Sequence, residues 1–354
     1  MAGLFSSARL PQFGRVLLTL AIGAVGGETF SYLQVPLAWM IGALSATTIA
    51  ALLRVPLALP RKLRDTVITV LGVMLGSSFR PEMFDQLGSW AFSLLGLLLY
   101  LIVSTGVLFV LLRRFAGYDP VTSYFAAAPG GLNEMVLVGG ALGGDDRTLA
   151  LTHAARVMLV VLTIPLWFAF TVGYRSGGSY ATGVDASALD LLILLGCAVF
   201  GALLGRLLRL PAANLMGPML LSAAVHLAGV TQSSPPWFLV ALAQLIVGGS
   251  LGCRFVGVDP RVMARIVLIS IPGTAVLLAI TLAFGFGLHL LTGIPSTLLV
   301  LAYAPGGLAE MSLIAFYLGQ DTAFVASHHL IRITLIILLA PLVFRLLTGR
   351  SVKQ

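Results

Sequence analysis

Ala128-Pro129-Gly130-Gly131-Leu132-Asn133-Glu134-Met135 returns later in the chain as Ala304-Pro305-Gly306-Gly307-Leu308-Ala309-Glu310-Met311. The offset of 176 residues (305 − 129) also joins Asp145 to Asp321, His153 to His329, Arg156 to Arg332 and Pro165 to Pro341. From Pro129 to Pro165, sixteen of 37 aligned pairs are identical without a gap, and they include Glu, Asp, His and Arg. Shared hydrophobic composition would not match those four residue types. Fainter matches pair Pro36 to Gly42 with Pro211 to Gly217, and Gly72 to Phe79 with Gly248 to Phe255. The chain therefore reads as two copies of one membrane repeat, residues 1–176 and 177–354, forming one structural unit.

At 58% hydrophobic and 10% charged residues, with a mean hydropathy of +1.03, the chain is far more apolar than a soluble domain, which is about a quarter charged. It reads as a polytopic all-α membrane protein whose surroundings are the lipid bilayer. The net charge of +8 does not point to nucleic acid, because the basic residues sit in short loops between apolar runs. Cys197 and Cys253 lie in separate apolar segments, which suggests packing rather than a disulfide or a metal knuckle. The first twelve residues carry only Arg9, and the run after them is membrane-length, so a retained first span is expected rather than a cleaved signal.

A spanning helix needs about 20 mostly apolar residues to cross about 30 Å of hydrocarbon. Ten segments are candidates: Val16 to Leu33, Pro36 to Leu53, Thr66 to Phe79, Trp90 to Leu112 and Ala150 to Tyr174, then Asp190 to Leu208, Asn214 to Ala228, Trp237 to Phe255, Ile266 to Leu291 and Ala323 to Leu347. Those beginning at Thr66 and Asn214 are short. Two further apolar stretches, Val121 to Gly144 and Ser296 to Gly319, are each interrupted by Pro-Gly-Gly. The proline removes a backbone donor and the glycines add flexible positions, so each must be a broken element.

Loop charges suggest how the halves are oriented, since Lys and Arg of short loops mark the cytoplasmic side. Arg54, Arg61, Lys62, Arg64, Arg113 and Arg114 occupy loops whose second-half counterparts, Gly229 to Pro236 and Leu291 to Pro295, carry no charge. Conversely, the counterpart of the uncharged Gln34–Val35 turn gains Arg206 and Arg209, and the next basic loop of the second half holds Arg254, Arg261 and Arg265. Halves invert only with an odd number of crossings. The expected architecture is two inverted repeats, each of five transmembrane helices plus one broken, re-entrant hairpin. Arg9 and Arg15 at one end, and Arg345, Arg350 and Lys353 at the other, put both termini on the cytoplasmic side.

Irregular backbone at membrane depth must be buried in protein or line a wet cavity. A small-molecule or ion site is therefore expected at Pro129, Gly130, Gly131, Asn133 and Glu134, and at Pro305, Gly306, Gly307 and Glu310. Glu134 and Glu310 fall in the first turn after each break, where they either cap their own half-helix or bind. His153 and Arg156 share a helix face, as do His329 and Arg332. An intramembrane arginine costs at least about 2.5 to 3.5 kcal/mol and needs a partner. Either it pairs with the nearby glutamate or it holds a substrate anion. Glu28 has no acidic counterpart and is a candidate for proton or sodium coupling; no other cofactor is implied. Gly72, Gly76, Gly248 and Gly252 have small-xxx-small spacing suited to close helix packing. His226 and His289 read as interfacial, and adjacent His328 and His329 as facing different sides of one helix. No metal-binding or hydrolase motif is found.

The doubled APGG-L-x-E-M stretch followed by H-x-x-R resembles the AbrB-type integral membrane family of bacteria, which carries this unit as an internal duplication. The matching residues are Pro129, Gly130, Gly131, Glu134, Met135, Pro305, Gly306, Gly307, Glu310 and Met311. Asn133 becomes Ala309 in the second copy, which argues against a symmetric role. The resemblance implies a multi-pass protein of the inner membrane, with members labelled as regulators of gene expression or as ammonia monooxygenases. The small soluble DNA-binding regulator of the same name is a different fold. Of these classes a secondary transporter explains inverted repeats, broken segments and midplane charges together. A regulator would need loops longer than these, an oxygenase would need a metal site, and a homodimer is compatible with either.

Overall fold

Apolar segments in a bilayer can satisfy their own backbone groups only as helices or closed barrels, and the residues here choose helices throughout. The computed structural model describes residues 11–81, 87–172 and 187–348, and among these it contains no strand. The first half comprises α1 (Gln12–Tyr32), α2 (Ala38–Leu52), α3 (Arg61–Gly76), α4 (Leu87–Leu111), α5 (Pro120–Ala127), α6 (Leu132–Ala141) and α7 (Asp146–Val172). The second comprises α8 (Ala188–Leu207), α9 (Ala213–Leu227), α10 (Trp237–Gly252), α11 (Pro260–Thr292), α12 (Ser296–Tyr303), α13 (Leu308–Tyr317) and α14 (Thr322–Thr348).

The duplication is visible element by element. Helices α12, α13 and α14 begin and end 176 residues after α5, α6 and α7 (for example, 296 − 120 and 348 − 172). Even unusual backbone is copied. Gln34 and Leu37, both at φ 53°, have counterparts in Arg209 at 52° and Ala212 at 46°. Non-glycine residues avoid this left-handed region, at a cost of roughly 1–2 kcal/mol each. Its recurrence between α1 and α2 and again between α8 and α9 marks a shared turn rather than an accident.

Among the described residues seven helices are, by length and composition, long and apolar enough to cross a membrane: α1, α4, α7, α8, α10, α11 and α14. The chain is thus a multi-pass, membrane-type helical protein. The other three expected spans also form helices, but shorter ones: α2 and α9 have 15 residues and α3 has 16. At 1.5 Å per residue 15 residues rise about 23 Å, less than the hydrocarbon thickness. Helix α3 additionally opens on Arg61, Lys62 and Arg64. Arg9, Tyr174, Arg350, Lys353 and the junction at 176/177 lie outside the described residues.

Packing divides the chain differently from the duplication. One compact unit takes Met1–Pro81, Leu162–Pro260 and Phe316–Ala323; the other takes Glu82–Val161, Arg261–Ala315 and Phe324–Gln354. Each therefore draws on both halves. In the first unit α2 packs on α1 and α10, and α9 packs on α3 and α8. Gly72 and Gly248 explain how: a side chain on Gly72 would strike the Leu215 carbonyl, and one on Gly248 the Met40 carbonyl. These backbones touch because neither residue has a Cβ, as the small-residue spacing predicts. Cys197 is buried against Val73 and Leu194 in the same unit. His226 departs from expectation. It is buried rather than interfacial, bonding the Ser222 and Ser233 carbonyls at 2.7 and 2.9 Å, which ties the end of α9 to the following loop.

Candidate functional site

Both interrupted segments lie in the second unit. Asp119 caps α5, its carboxylate accepting from the amides of Val121 (2.9 Å) and Thr122 (3.0 Å), and Pro120 supplies the preset first turn. The helix stops at Ala127 because Pro129 has no N–H to continue the ladder and disfavours helical geometry at the residue before it. Ala128 is extended (φ −60°, ψ 124°), as is Gly131 (φ −64°, ψ 135°). Helix α6 then starts at Leu132. The Thr122 hydroxyl accepts from the Asp145 amide at 2.9 Å, so the start of α5 and the residues after α6 meet. The arms thus fold back on each other. Asp145 also begins α7: the Thr148 hydroxyl at 2.5 Å and the Arg147 amide at 3.0 Å both donate to it. The Thr148 bond, foremost, holds the Asp145 carboxyl below its usual range.

A broken helix exposes two kinds of orphan group, carbonyls where the first arm ends and amides where the second begins. The motif's charged residues divide between them. Arg156 reaches from α7 to the carbonyl end of α5, donating to the Ala126 oxygen at 3.2 Å and the Ala128 oxygen at 3.4 Å. Arg332 does the same from α14, donating to the Ala304 carbonyl and, at 2.6 Å, to the Gly306 carbonyl. Glu134 and Glu310 fold over Gly131 and Gly307 at the start of α6 and α13, so close that a Cβ on either glycine would strike the carboxylate. The expected pairing of Arg156 with Glu134 and of Arg332 with Glu310 is not formed. Each charge instead serves the helix end of opposite sign, about −0.5 at the carbonyl end and +0.5 at the amide end.

The histidines fix the arginines' approach. Arginine only donates, so its 2.8 Å contact with His153 Nδ1 makes that nitrogen an acceptor. His153 is therefore the neutral tautomer with its proton on Nε2, which donates to the Phe125 oxygen at 3.0 Å. In the second copy His329 Nε2 faces the Leu301 oxygen at 2.9 Å, but Nδ1 has no partner because Arg332 has turned to Gly306. Both arginines are buried, at 4% and 2% exposure. The Nε of each is unpaired. Among the described residues neither arginine is ion-paired with a carboxylate, and the Tyr100 hydroxyl acts on both.

The other expected positions are placed as follows. Pro129 and Pro305 sit in the breaks, and Gly130 abuts Met135 and Ile336 of α14. Asn133 is on α6, its side chain outside the described residues. Glu28 is exposed on α1, in the other unit. Sequence reasoning missed the surroundings of the second break. His328, fully buried, meets the Ser93 hydroxyl at 2.7 Å and lies 4.0 Å from the Phe324 ring. The Tyr303 hydroxyl donates to the Ser93 carbonyl, and Tyr303 packs edge-on against Tyr100 at 5.3 Å. The first copy has Thr152 and Ala127 where the second has His328 and Tyr303, so no repeat signal marked them. Among the described residues no three His, Cys, Asp or Glu side chains gather as metal ligands would.

A doubled helix–APGG–helix unit, each copy followed by a helix carrying H-x-x-R, is what this geometry comes down to. The family model described as "Transition state regulatory protein AbrB" matches residues 39–348, which include both copies. The chain belongs to the AbrB family. Two similar proteins match along nearly their whole length. "Uncharacterized protein YhjN" of Bacillus subtilis (strain 168) is 29% identical over 353 residues, covering 93% of this chain and 92% of that one. "Putative regulator AbrB" of Escherichia coli (strain K12) is 25% identical over 352 residues, covering 97% and 98%. This AbrB-family protein and both relatives are thus of similar extent, and the two breaks fall inside the part that defines the family.

Proposed function

We propose that this AbrB-family protein is a secondary transporter of the bacterial inner membrane, moving a small solute through a site formed by its two Pro-Gly-Gly breaks. The carrying observation is the pair of buried arginines. Each is held by the carbonyl end of a half-helix, is opposed by no carboxylate, and keeps an unpaired Nε. Carbonyl ends offset about half a unit charge each, whereas an intramembrane arginine costs at least about 2.5 to 3.5 kcal/mol. A solute with a carboxylate or comparable anionic group would supply the remainder. In this reading the halves are inverted repeats and the broken segments re-entrant hairpins; the bond from the Asp145 amide to Thr122, which brings the two ends of the first segment together, supports that. Glu28, exposed on α1, is the candidate coupling carboxylate for a proton or sodium ion, and Glu134 and Glu310 line the site at the breaks.

The words regulatory in the family's description and regulator in the E. coli relative's name point to the second reading, a role in gene expression. The test is a thermal-stability screen of ammonium, amino acids and small carboxylates, with and without sodium and across pH. A ligand that stabilises the wild type but not Arg156→Gln supports the site. Uniform indifference to every anionic solute, with both variants folded, contradicts it.

A further inference from the structure

Hydroxyls inside helices ordinarily bond back to a carbonyl one turn earlier. Thr19, Thr47 and Thr281 do so, to Arg15, Ala43 and Leu277 at 2.6–2.8 Å. Ser270 and Thr274 on α11 do not. Both are 5% exposed, and neither hydroxyl has a hydrogen-bond partner. They flank Pro272, which lies inside the same helix and leaves one carbonyl of the preceding turn without its amide. One turn apart, they share a face, and they line one small cavity with Arg156, Thr152, Gly273 and Ala126. Three of the residues that line this one space thus each carry a buried polar atom without a partner: Arg156 Nε, Ser270 Oγ and Thr274 Oγ1.

The other polar groups there are already engaged. The Ala126 carbonyl takes Arg156, and the Thr152 hydroxyl meets the Tyr118 hydroxyl at 3.3 Å. What remains is one N–H and two O–H groups able to donate together. The free space is about 10 Å³, about what one water occupies; a chloride, being somewhat larger, enters as the lining side chains move slightly outward. A metal cation is disfavoured by the guanidinium beside it and by the Arg332 charge nearby. A neutral water would leave those two charges as they stand.

We infer that this cavity binds one dehydrated monovalent anion of halide size, chloride being the common one, as a counter-ion to Arg156. The inference rests on the guanidinium and the two hydroxyls and holds whether or not a solute is transported. The first-repeat counterparts of Ser270 and Thr274 are Leu94 and Leu98, so no equivalent pair of hydroxyls serves the second break.

The test is thermal unfolding of the purified full chain at constant ionic strength in sodium gluconate, chloride, bromide, iodide and sulfate. Chloride and bromide are expected to raise the midpoint saturably, by about 2 °C or more, with gluconate and sulfate giving no such rise. In the Ser270→Ala/Thr274→Val double variant that difference should vanish, with the gluconate midpoint little changed because neither hydroxyl has a protein partner. Equal midpoints in chloride and gluconate for the wild type would overturn the inference without any variant. So would a halide effect that survives in the double variant, which places the ion elsewhere. Solute uptake measured in parallel separates the two readings. A halide-insensitive protein that transports loses only the counter-ion, and a halide-sensitive one that transports nothing loses only the carrier.

Discussion

The two breaks carry the same motif and are built differently around it. At the first, Arg156 shares its donors among the Ala126 and Ala128 carbonyls and His153 Nδ1, and it lines a small cavity together with Ser270 and Thr274. At the second, Arg332 spends its donors on the Ala304 and Gly306 carbonyls, and the space nearby is filled by Tyr303, His328 and Phe324. Duplication copied the ends of the helices and their charges; divergence filled one side and left the other polar. The first break therefore reads as the adaptable side of the site, and the second as the fixed one.

If so, the largest stability effect belongs to the second break. Arg332→Gln strips donors from two buried carbonyls, each costing about 1–3 kcal/mol when unsatisfied, and should lower the unfolding midpoint by several degrees. Arg156→Gln should lower it less, since His153 and the α5 carbonyls lose weaker, longer bonds. Equal losses would remove the asymmetry. Next in size, Gly307→Ala should cost about 1–3 kcal/mol, because the added Cβ meets buried Glu310. Gly131→Ala should cost less, since the half-buried Glu134 has room to swing away; chemical denaturation of the two variants gives the ranking. His328→Thr, which installs the first copy's residue, loses the Ser93 bond and ring packing and should cost about 1–2 kcal/mol. A neutral result would show that the filled side is not a support.

The smallest effect concerns Asp145. Its carboxyl is held low chiefly by the Thr148 hydroxyl. A carboxyl depressed in the folded state adds stability above its unfolded value, about 3.9, and loses it as pH falls through the folded one. The stability difference between wild type and Asp145→Asn should therefore be present at pH 6 and shrink below about pH 4. A difference that is flat with pH would contradict the cap. Exposure keeps it small.

Most of the fold was legible because the decisive signals are local. The Pro-Gly-Gly sequences at 129–131 and 305–307 end their helices locally, whereas lone prolines such as Pro165 and Pro341 stay inside theirs, and the 176-residue offset carried the first break's reading to the second. Span length was less legible, because α2 and α9 are as apolar as true spans yet end after 15 residues at turns that hydropathy does not mark. The site was half legible. The structure places His153, Arg156, Glu134 and their copies at the breaks, with each glutamate over the amide end as one of the two sequence readings had it; the arginines' use of the carbonyl ends was not foreseen, because only the positive end of each break was considered. His328, Ser93, Ser270 and Thr274 carry no repeat signal, and only packing reveals them. The division into two units that each mix both halves is likewise a property of long-range contacts.

The most direct measurement is uptake, into proteoliposomes, of the solute that best stabilises the purified protein, comparing wild type with Arg156→Gln and Arg156→Lys at matched folded protein. Uptake should fall on the order of 100-fold or more in the Gln variant, as expected when a buried charged contact worth about 3 kcal/mol is lost, and recover in part with Lys. Wild-type uptake by a well-folded Arg156→Gln protein would contradict a solute site at the breaks.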